Sequence, residues 1–304
     1  MAFHTKYRPR TLKTVKGNSN LVKTLDSLLV DEDRPHSFLL HGPTGCGKTT
    51  LARIIASRLE CVGTDLREIN SADFRGIDTI RDLYSKSQFK PIEGPCRVWI
   101  IDECHKITND AQNALLKILE EPPSYVYFIL CTTDPQKLLA AIKGRCSQFQ
   151  VKPLSENEMT SLLQRVVKKE DEELEDEIYE IIIRDSLGLP RNALQILEQV
   201  LRTEPAQRKE VAQQAAAEQS ESIELCRVLI NDKATWKQVQ AVLNRLRDQE
   251  AESIRRVVLG YCQAVLLKSD HWRAGAVLEA FIEPFYDSGF PQLVYACYSV
   301  IKTK

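Results

Sequence analysis

The sequence predicts an α/β domain, a parallel sheet sandwiched by helices, followed by wholly helical domains. Three observations carry that expectation. A glycine-rich loop, Gly42-Pro43-Thr44-Gly45-Cys46-Gly47-Lys48-Thr49, lies between a short apolar run and a helical pattern. Residues 98–101 and 125–131 are continuous apolar runs, as expected of strands covered on both faces. After Pro153 only the helical period remains.

Taken in order, residues 37–40 read as a strand feeding the glycine loop and 49–59 as the helix after it. A strand over 66–69, a helix over 77–89 and a strand over 98–101 follow. Residues 108–120 carry Ala111, Ala114, Leu115 and Ile118 at i, i+3, i+4 and i+7, so they form an amphipathic helix that Pro122-Pro123 ends. After the 125–131 strand come a helix starting near Gln136 and a strand over 149–151. Ser155 and Glu158 then make a capping box ahead of Met159, Leu162, Leu163, Val166 and Val167. A second helix spans about 173–186 and stops at Gly188, with the acidic run 170–177 on its solvated face. Pro190 suits the first turn of a third helix carrying Ala193, Leu194 and Leu197. Pro205 and the polar stretch 213–220 mark a boundary, after which four or so helices follow, one with the stripe Val239, Val242, Leu243 and Leu246. The expected domains are 1–152, 153–205 and 206–304.

Composition limits the partners. The chain has 304 residues, 43% of them apolar, and 41 basic against 42 acidic side chains give a net charge of −1. Contact with nucleic acid therefore needs a local patch, or a basic surface pooled from several subunits. No apolar run approaches the ~20 residues of a membrane span. The first residues lack the apolar core of a signal peptide, so a cytoplasmic protein without a membrane partner is expected. Nine scattered cysteines contain no C-x-x-C pair, which predicts reduced thiols and no zinc.

The chemistry is concentrated in two motifs. Residues 42–49 fit G-x-x-x-x-G-K-[ST], whose backbone amides cradle phosphates at a helix N-terminus. Lys48 reaches the terminal phosphates, the Thr49 hydroxyl sits on Mg²⁺, and Thr50 continues the loop into the helix. The apolar strand 98–101 ends in Asp102-Glu103. Asp102 suits a metal ligand, and Glu103 suits a base that orients and deprotonates a water. These halves predict a site that binds a nucleoside triphosphate with Mg²⁺ and activates a water against it.

Several further segments resemble one family, the ATPase subunits of sliding-clamp loaders within the AAA+ superfamily. Lys6-Tyr7-Arg8-Pro9 is similar to its N-terminal K-Y-R-P. Ile69-Asn70-Ser71-Ala72-Asp73-Phe74-Arg75-Gly76-Ile77 resembles its second-strand motif, and Asp110-Ala111-Gln112-Asn113-Ala114-Leu115 its D-A-Q-x-A-L helix. Glu120-Glu121-Pro122-Pro123 and Thr132-Thr133-Asp134-Pro135-Gln136-Lys137 look like the bacterial version, and Gly144-Arg145-Cys146 stands where the family has Ser-Arg-Cys. The bacterial protein's four-cysteine zinc module and long extension are missing, as in a compact, phage-type subunit. The last hundred residues match in helical character and length only.

That resemblance implies roles. Tyr7, Arg8 and Pro9 would lie beside adenine. Arg145 would be the arginine finger inserted into a neighbouring subunit's ATP site, and Arg191 the sensor-2 arginine acting in cis. Thr132 or Thr133 would be sensor 1, with Thr132 favoured by its place after the apolar run. DNA contact would come from Arg75, Gly76, Ile77, Thr108 and Asn109 at helix starts, with a switch on Glu103 and an ion pair with Asp73 or Asp78 as the other readings of Arg75. Gln112, expected on the solvated face, would couple DNA occupancy to the catalytic carboxylate. Leu83, Tyr84 and Phe89 would touch the clamp, although core packing accounts for one or two of them. The helical parts would be a lid and an oligomerisation collar, and the partners copies of the chain, other loader subunits, the sliding clamp and primer-template DNA. Another AAA+ DNA motor, or an assembly protein that binds ATP without turnover, are the alternatives.

Overall fold

The structure, a computed structural model, describes all residues except 72–75, 219–220, 268, 286–287 and 303–304. The chain separates into two compact units, Met1–Val166 with Gly188–Arg191, and Val167–Leu187 with Asn192–Lys304.

The first unit opens with helices α1 (Phe3–Lys6) and α2 (Ser19–Leu28), strand β1 (Ser37–His41) and helix α3 (Lys48–Arg58). Strand β2 (Leu66–Asn70), helix α4 (Ile77–Ser87), strand β3 (Arg97–Asp102) and helix α5 (Asn109–Glu120) follow. Strand β4 (Val126–Thr132), the short helix α6 (Ala140–Gly144) and strand β5 (Ser147–Gln150) complete the sheet, and α7 (Glu156–Lys169) begins the helical part. All pairings are parallel and the strand order is β2-β3-β4-β1-β5. The continuous apolar runs resolve into two faces because a strand alternates its side chains. Phe38, Leu40, Val98, Ile100, Ile129 and Cys131 pack with Leu51, Ile54 and Ile55 of α3. Leu39, Trp99, Ile101, Phe128 and Leu130 pack instead with Ile80 and Leu83 of α4, Leu115 and Ile118 of α5, and Ile142 of α6. The register sets His41 opposite Thr132 and Asn70 opposite Asp102. Four polar side chains therefore stand together at the C-terminal edge, where parallel sheets hold their ligands.

Two local expectations shift in this unit. The helix placed near Gln136 is a single 3₁₀ turn, Pro135–Lys137, followed by α6, because Asp134 caps the turn and Leu138 returns to extended backbone. The last strand begins two residues earlier than expected, pairing Ser147 with Phe38. The predicted capping box is formed: the Ser155 amide donates to Glu158 Oε2 at 2.9 Å and the Glu158 amide to Ser155 Oγ at 3.4 Å.

The second unit contains α8 (Asp176–Ser186), most of α9 (Pro190–Leu201), α10 (Arg208–Glu218) and α11 (Glu221–Ile230). It ends with α12 (Trp236–Arg245), α13 (Ala251–Leu266), α14 (Trp272–Ala280) and α15 (Phe290–Lys302). The stripe Val239, Val242, Leu243 and Leu246 joins Ile223, Leu225, Val258, Phe281 and Leu293 in one core. The polar stretch read as a boundary runs instead through α10 up to Glu218. Its apolar periodicity is faint because it is held polar-side: buried Arg208 donates to the Glu173 and Thr203 carbonyls and to Glu172. Five helices follow it among the described residues rather than four.

Candidate nucleotide-binding site

The glycine loop joins β1 to α3. Gly42, Gly45 and Gly47 have φ of 151°, 80° and 106°, a region that costs other residues strain. At Gly42 space is a second constraint, since a Cβ there would lie 2.1 Å from the Val151 carbonyl oxygen. Left-handed turns of this kind aim successive amides at one point and form an anion nest. Lys48 is buried, and its ammonium donates to the Gly42 carbonyl at 2.8 Å and the Pro43 carbonyl at 2.9 Å. The Cys46 thiol closes the same turn onto the Pro43 carbonyl at 2.8 Å, and burial pushes its pKa up. Pro43 and Thr44 stay exposed at the rim, while Thr49 and Thr50 enter the first turn of α3 half-buried.

The second motif meets the first directly. The Thr49 hydroxyl donates to Asp102 Oδ2 at 2.7 Å, and the Glu103 amide donates to Asp102 Oδ1 at 2.9 Å. A hydroxyl and a carboxylate side by side, next to a phosphate nest, fit a hard cation that keeps several waters, as Mg²⁺ does. Glu103 sits at φ 52°, ψ 37°, a left-handed turn that lifts its side chain off the strand line. Its Oε2 lies 3.6 Å from His105 Nε2 and 3.5 Å from Lys106 Nζ. His105 Nδ1 lies 3.0 Å from the Thr132 hydroxyl, which also accepts from the Asp134 amide at 3.0 Å. Burial pushes the His105 pKa down, with the Glu103 carboxylate pulling the other way. Sequence reasoning passed over His105; its place one short turn beyond the candidate base was the available signal.

The remaining expected residues fall into place unevenly. The Arg191 amide donates to the Gly45 carbonyl at 3.4 Å, which brings this residue to the phosphate loop. Tyr7 packs edge-on against Phe3 at 5.4 Å, and Arg8 and Pro9 continue half-buried. Arg145 follows α6 and pairs with Glu120 at the end of α5. Gln112 is 2% exposed, which corrects the solvated placement. Its Nε2 donates to the Ile107 and Lys137 carbonyls at 3.4 and 3.3 Å, and its Oε1 accepts the Leu139 amide at 2.9 Å. Thr108 caps α5 by accepting the Ala111 amide at 3.3 Å, with Asn109 exposed beside it. Gly76 precedes α4 and is exposed, and Ile77 is half-buried. Arg75 lies outside the described residues, as do Ala72, Asp73 and Phe74, and Asp78 pairs with Arg81 at 3.2 Å. Leu83 is a correction: it is 1% exposed in the core and unavailable to a partner, whereas Tyr84 and Phe89 are 48% and 67% exposed.

Comparison with known proteins agrees with this geometry. Residues 63–155 match the family described as DNA polymerase III, delta subunit. DNA polymerase III subunit gamma/tau of Mycobacterium tuberculosis is 35% identical over 225 residues, covering 66% of this chain and 39% of that one. Subunit tau of Escherichia coli is 30% identical over 291 residues, 86% of this chain and 44% of that one. The chain is a relative of the DNA polymerase III gamma/tau subunits. The matched stretch thus spans about two fifths of these gamma/tau relatives. The fold is shared more widely. A point mutant of Thermotoga maritima RuvB superposes with a TM-score of 0.66 at 19% identity, covering 86% of this chain and 91% of that one. A second RuvB structure, titled a Holliday junction branch migration motor, gives 0.58 at 20% identity over 80% of each chain.

Proposed function

We propose that the chain is an ATPase subunit of a DNA-polymerase sliding-clamp loader. In this reading ATP binding drives assembly and clamp opening, and primer-template DNA triggers hydrolysis and clamp release. The single observation that carries it is the Thr49–Asp102 hydrogen bond of 2.7 Å, which joins the phosphate loop to the strand bearing Glu103. The gamma/tau relatives supply the replication context.

Each residue then has a task. The amides of Gly42 to Gly47 bind phosphate oxygens, and Lys48 exchanges its two carbonyl partners for the terminal phosphates. Thr49 and Asp102 hold Mg²⁺, which when bound neutralises charge on the phosphate oxygens. Glu103 orients the attacking water and takes its proton. Thr132 donates to the γ-phosphate, Arg191 contacts it in cis, and Arg145 of an adjoining subunit completes the site. Tyr7, Arg8 and Pro9 border the base. Gly76, Ile77, Thr108 and Asn109 offer helix-start amides to DNA phosphates, a contact that reads no sequence. Tyr84 and Phe89 face the clamp. The division into 1–152, 153–205 and 206–304 as motor, lid and collar, and a cytoplasmic location, belong to the same proposal. No helix among the described residues is long and apolar enough to cross a membrane.

The test is phosphate release by wild type and Glu103→Gln in the presence of partner subunits, clamp and primed DNA. Clamp- and junction-stimulated turnover that Glu103→Gln abolishes, with nucleotide still bound, is expected. Equal rates in the two proteins would remove the catalytic assignment. Strand displacement without clamp dependence would favour a branch-migration motor, the activity named for the RuvB fold relative.

A further inference from the structure

His105 stands between the two residues assigned to catalysis and phosphate sensing. Its Nδ1 is 3.0 Å from Thr132 Oγ1, and its Nε2 is 3.6 Å from Glu103 Oε2. The side chain is 9% exposed, so water does not substitute freely for either partner. A neutral imidazole has one donor and one acceptor nitrogen, and the partner of one fixes the role of the other. An unprotonated Nε2 would turn its lone pair on the Glu103 carboxylate, which is repulsive. A protonated Nε2 turns a donor there instead. Nδ1 is then the acceptor and the Thr132 hydroxyl its donor, while the Thr132 oxygen keeps a lone pair for the Asp134 amide at 3.0 Å. This one arrangement gives Nδ1 and the Thr132 hydroxyl their hydrogen bonds and leaves a polar N–H, not a lone pair, facing the Glu103 carboxylate at 3.6 Å.

The arrangement has a consequence, because the Thr132 hydroxyl has a single proton. While it is given to His105, it is not available to a phosphate. We propose that His105 is a positioning residue that holds the Glu103 carboxylate through the Thr132 hydroxyl, and that a γ-phosphate taking that hydroxyl as its donor loosens His105 and frees Glu103 to act. This rests on the reading of the site as an ATP site. It adds a link, within one chain, by which the sensing threonine reports to the base. Glu103 is drawn toward the 104–106 turn by Lys106 as well, at 3.5 Å, so loss of the imidazole loosens the carboxylate without leaving it unattended.

The decisive experiment needs no nucleotide. Protein labelled with ¹⁵N-histidine is examined by long-range ¹H–¹⁵N correlation, with the His105 signals assigned by their loss in His105→Gln. The expected spectrum shows Nε2 protonated and Nδ1 unprotonated in wild type, and a mixture of tautomers in Thr132→Val, where Nδ1 has lost its donor. A protonated Nδ1 in wild type, or a tautomer indifferent to Thr132→Val, overturns the proposal. Kinetics give the second arm: with the restraint gone, His105→Ala raises kcat about two- to tenfold with KM for ATP within about twofold. In the Thr132→Val background the same change has no effect, because the two act as one unit. A fall in kcat on His105→Ala, or the same rise in both backgrounds, would overturn the link. If wild type hydrolyses no ATP at all, the proposed function fails, and the tautomer experiment still decides whether His105 ties Thr132 to Glu103.

Discussion

Arg145 is paired with Glu120 of its own chain, and its guanidinium also donates to the Ala141 carbonyl at 3.1 Å. The residue proposed to complete a neighbour's ATP site is therefore held at home, at the junction of α5 and α6. Both side chains are more than a third exposed, so the pair contributes about 0–1 kcal/mol and can be exchanged for another anion. Arg145→Ala should leave ATP affinity within about twofold and lower turnover in the assembled state by roughly 10³-fold or more. A collapse of nucleotide binding would make Arg145 structural instead.

Glu120→Gln tests the other half of the pair. Only a weak contact is lost, so Tm should move by less than about 3 °C. Turnover of the assembled protein should be retained or rise a few-fold, since the guanidinium no longer has to leave a carboxylate. If turnover instead fell as far as in Arg145→Ala, Glu120 would be aiming the arginine rather than restraining it.

Gln112 connects α5 to the segment that leads toward Arg145. With its Oε1 removed, the Leu139 amide loses its acceptor, and an unsatisfied buried donor costs about 1–3 kcal/mol. Gln112→Ala should lower stability by that amount and speed hydrogen exchange at Leu139 ahead of the sheet amides. Unchanged protection at Leu139 would mean that the bridge does not hold the segment.

These residues also show what the sequence makes legible. The phosphate loop and Asp102-Glu103 are local patterns, and local patterns place them correctly on a strand, a turn and a helix start. Leu83 was legible too, had the spacing of Ile80, Leu83 and Ser87 along α4 been weighed; all three are buried. Gln112 was not legible in that way. Helical periodicity put it off the apolar stripe of α5, and only the tertiary approach of residues 137–139 turns that flank inward. Likewise α10 hides from pattern reading because Arg208, not an apolar stripe, anchors it. Side chains buried by hydrogen bonds to distant backbone leave no periodic trace.

Asp65 is fully buried and gathers the loop after α4. It accepts the amides of Ile92 at 2.9 Å, Glu93 at 2.7 Å and Gly94 at 3.2 Å, and Arg97 at 3.1 Å. Burial alone would push its pKa up; the three amides and the guanidinium outweigh that and bring it down to about 2 from 3.8. A depressed pKa means stability that is fully present above 3.8 and lost as pH falls toward 2. Asp65→Asn should therefore be destabilised at neutral pH, by about 3 kcal/mol where Arg97 loses its counter-charge. Its deficit against wild type, read from urea midpoints, should shrink between pH 4 and 2. A constant deficit across that range would show that shape, not charge, is what Asp65 supplies.

The same loop carries the last prediction, which separates folding from docking. Phe89 and Ile92 are 67% and 78% exposed and Tyr84 48%, while Leu83, one residue before Tyr84, is 1% exposed. Successive helix residues are turned about 100° from each other, which takes Tyr84 off the buried face of α4 that Leu83 occupies. Truncating Leu83 to Ala removes buried methyl groups and should cost about 2–5 kcal/mol. Phe89→Ala should cost almost nothing in stability, because the ring has little burial to lose. If this corner is where a sliding clamp docks, as proposed, Phe89→Ala should weaken capture of the clamp at least tenfold, since exposed aromatics act as anchors at interfaces. Clamp binding that survives Phe89→Ala and Tyr84→Ala together would move the docking surface elsewhere, while leaving the ATP site untouched.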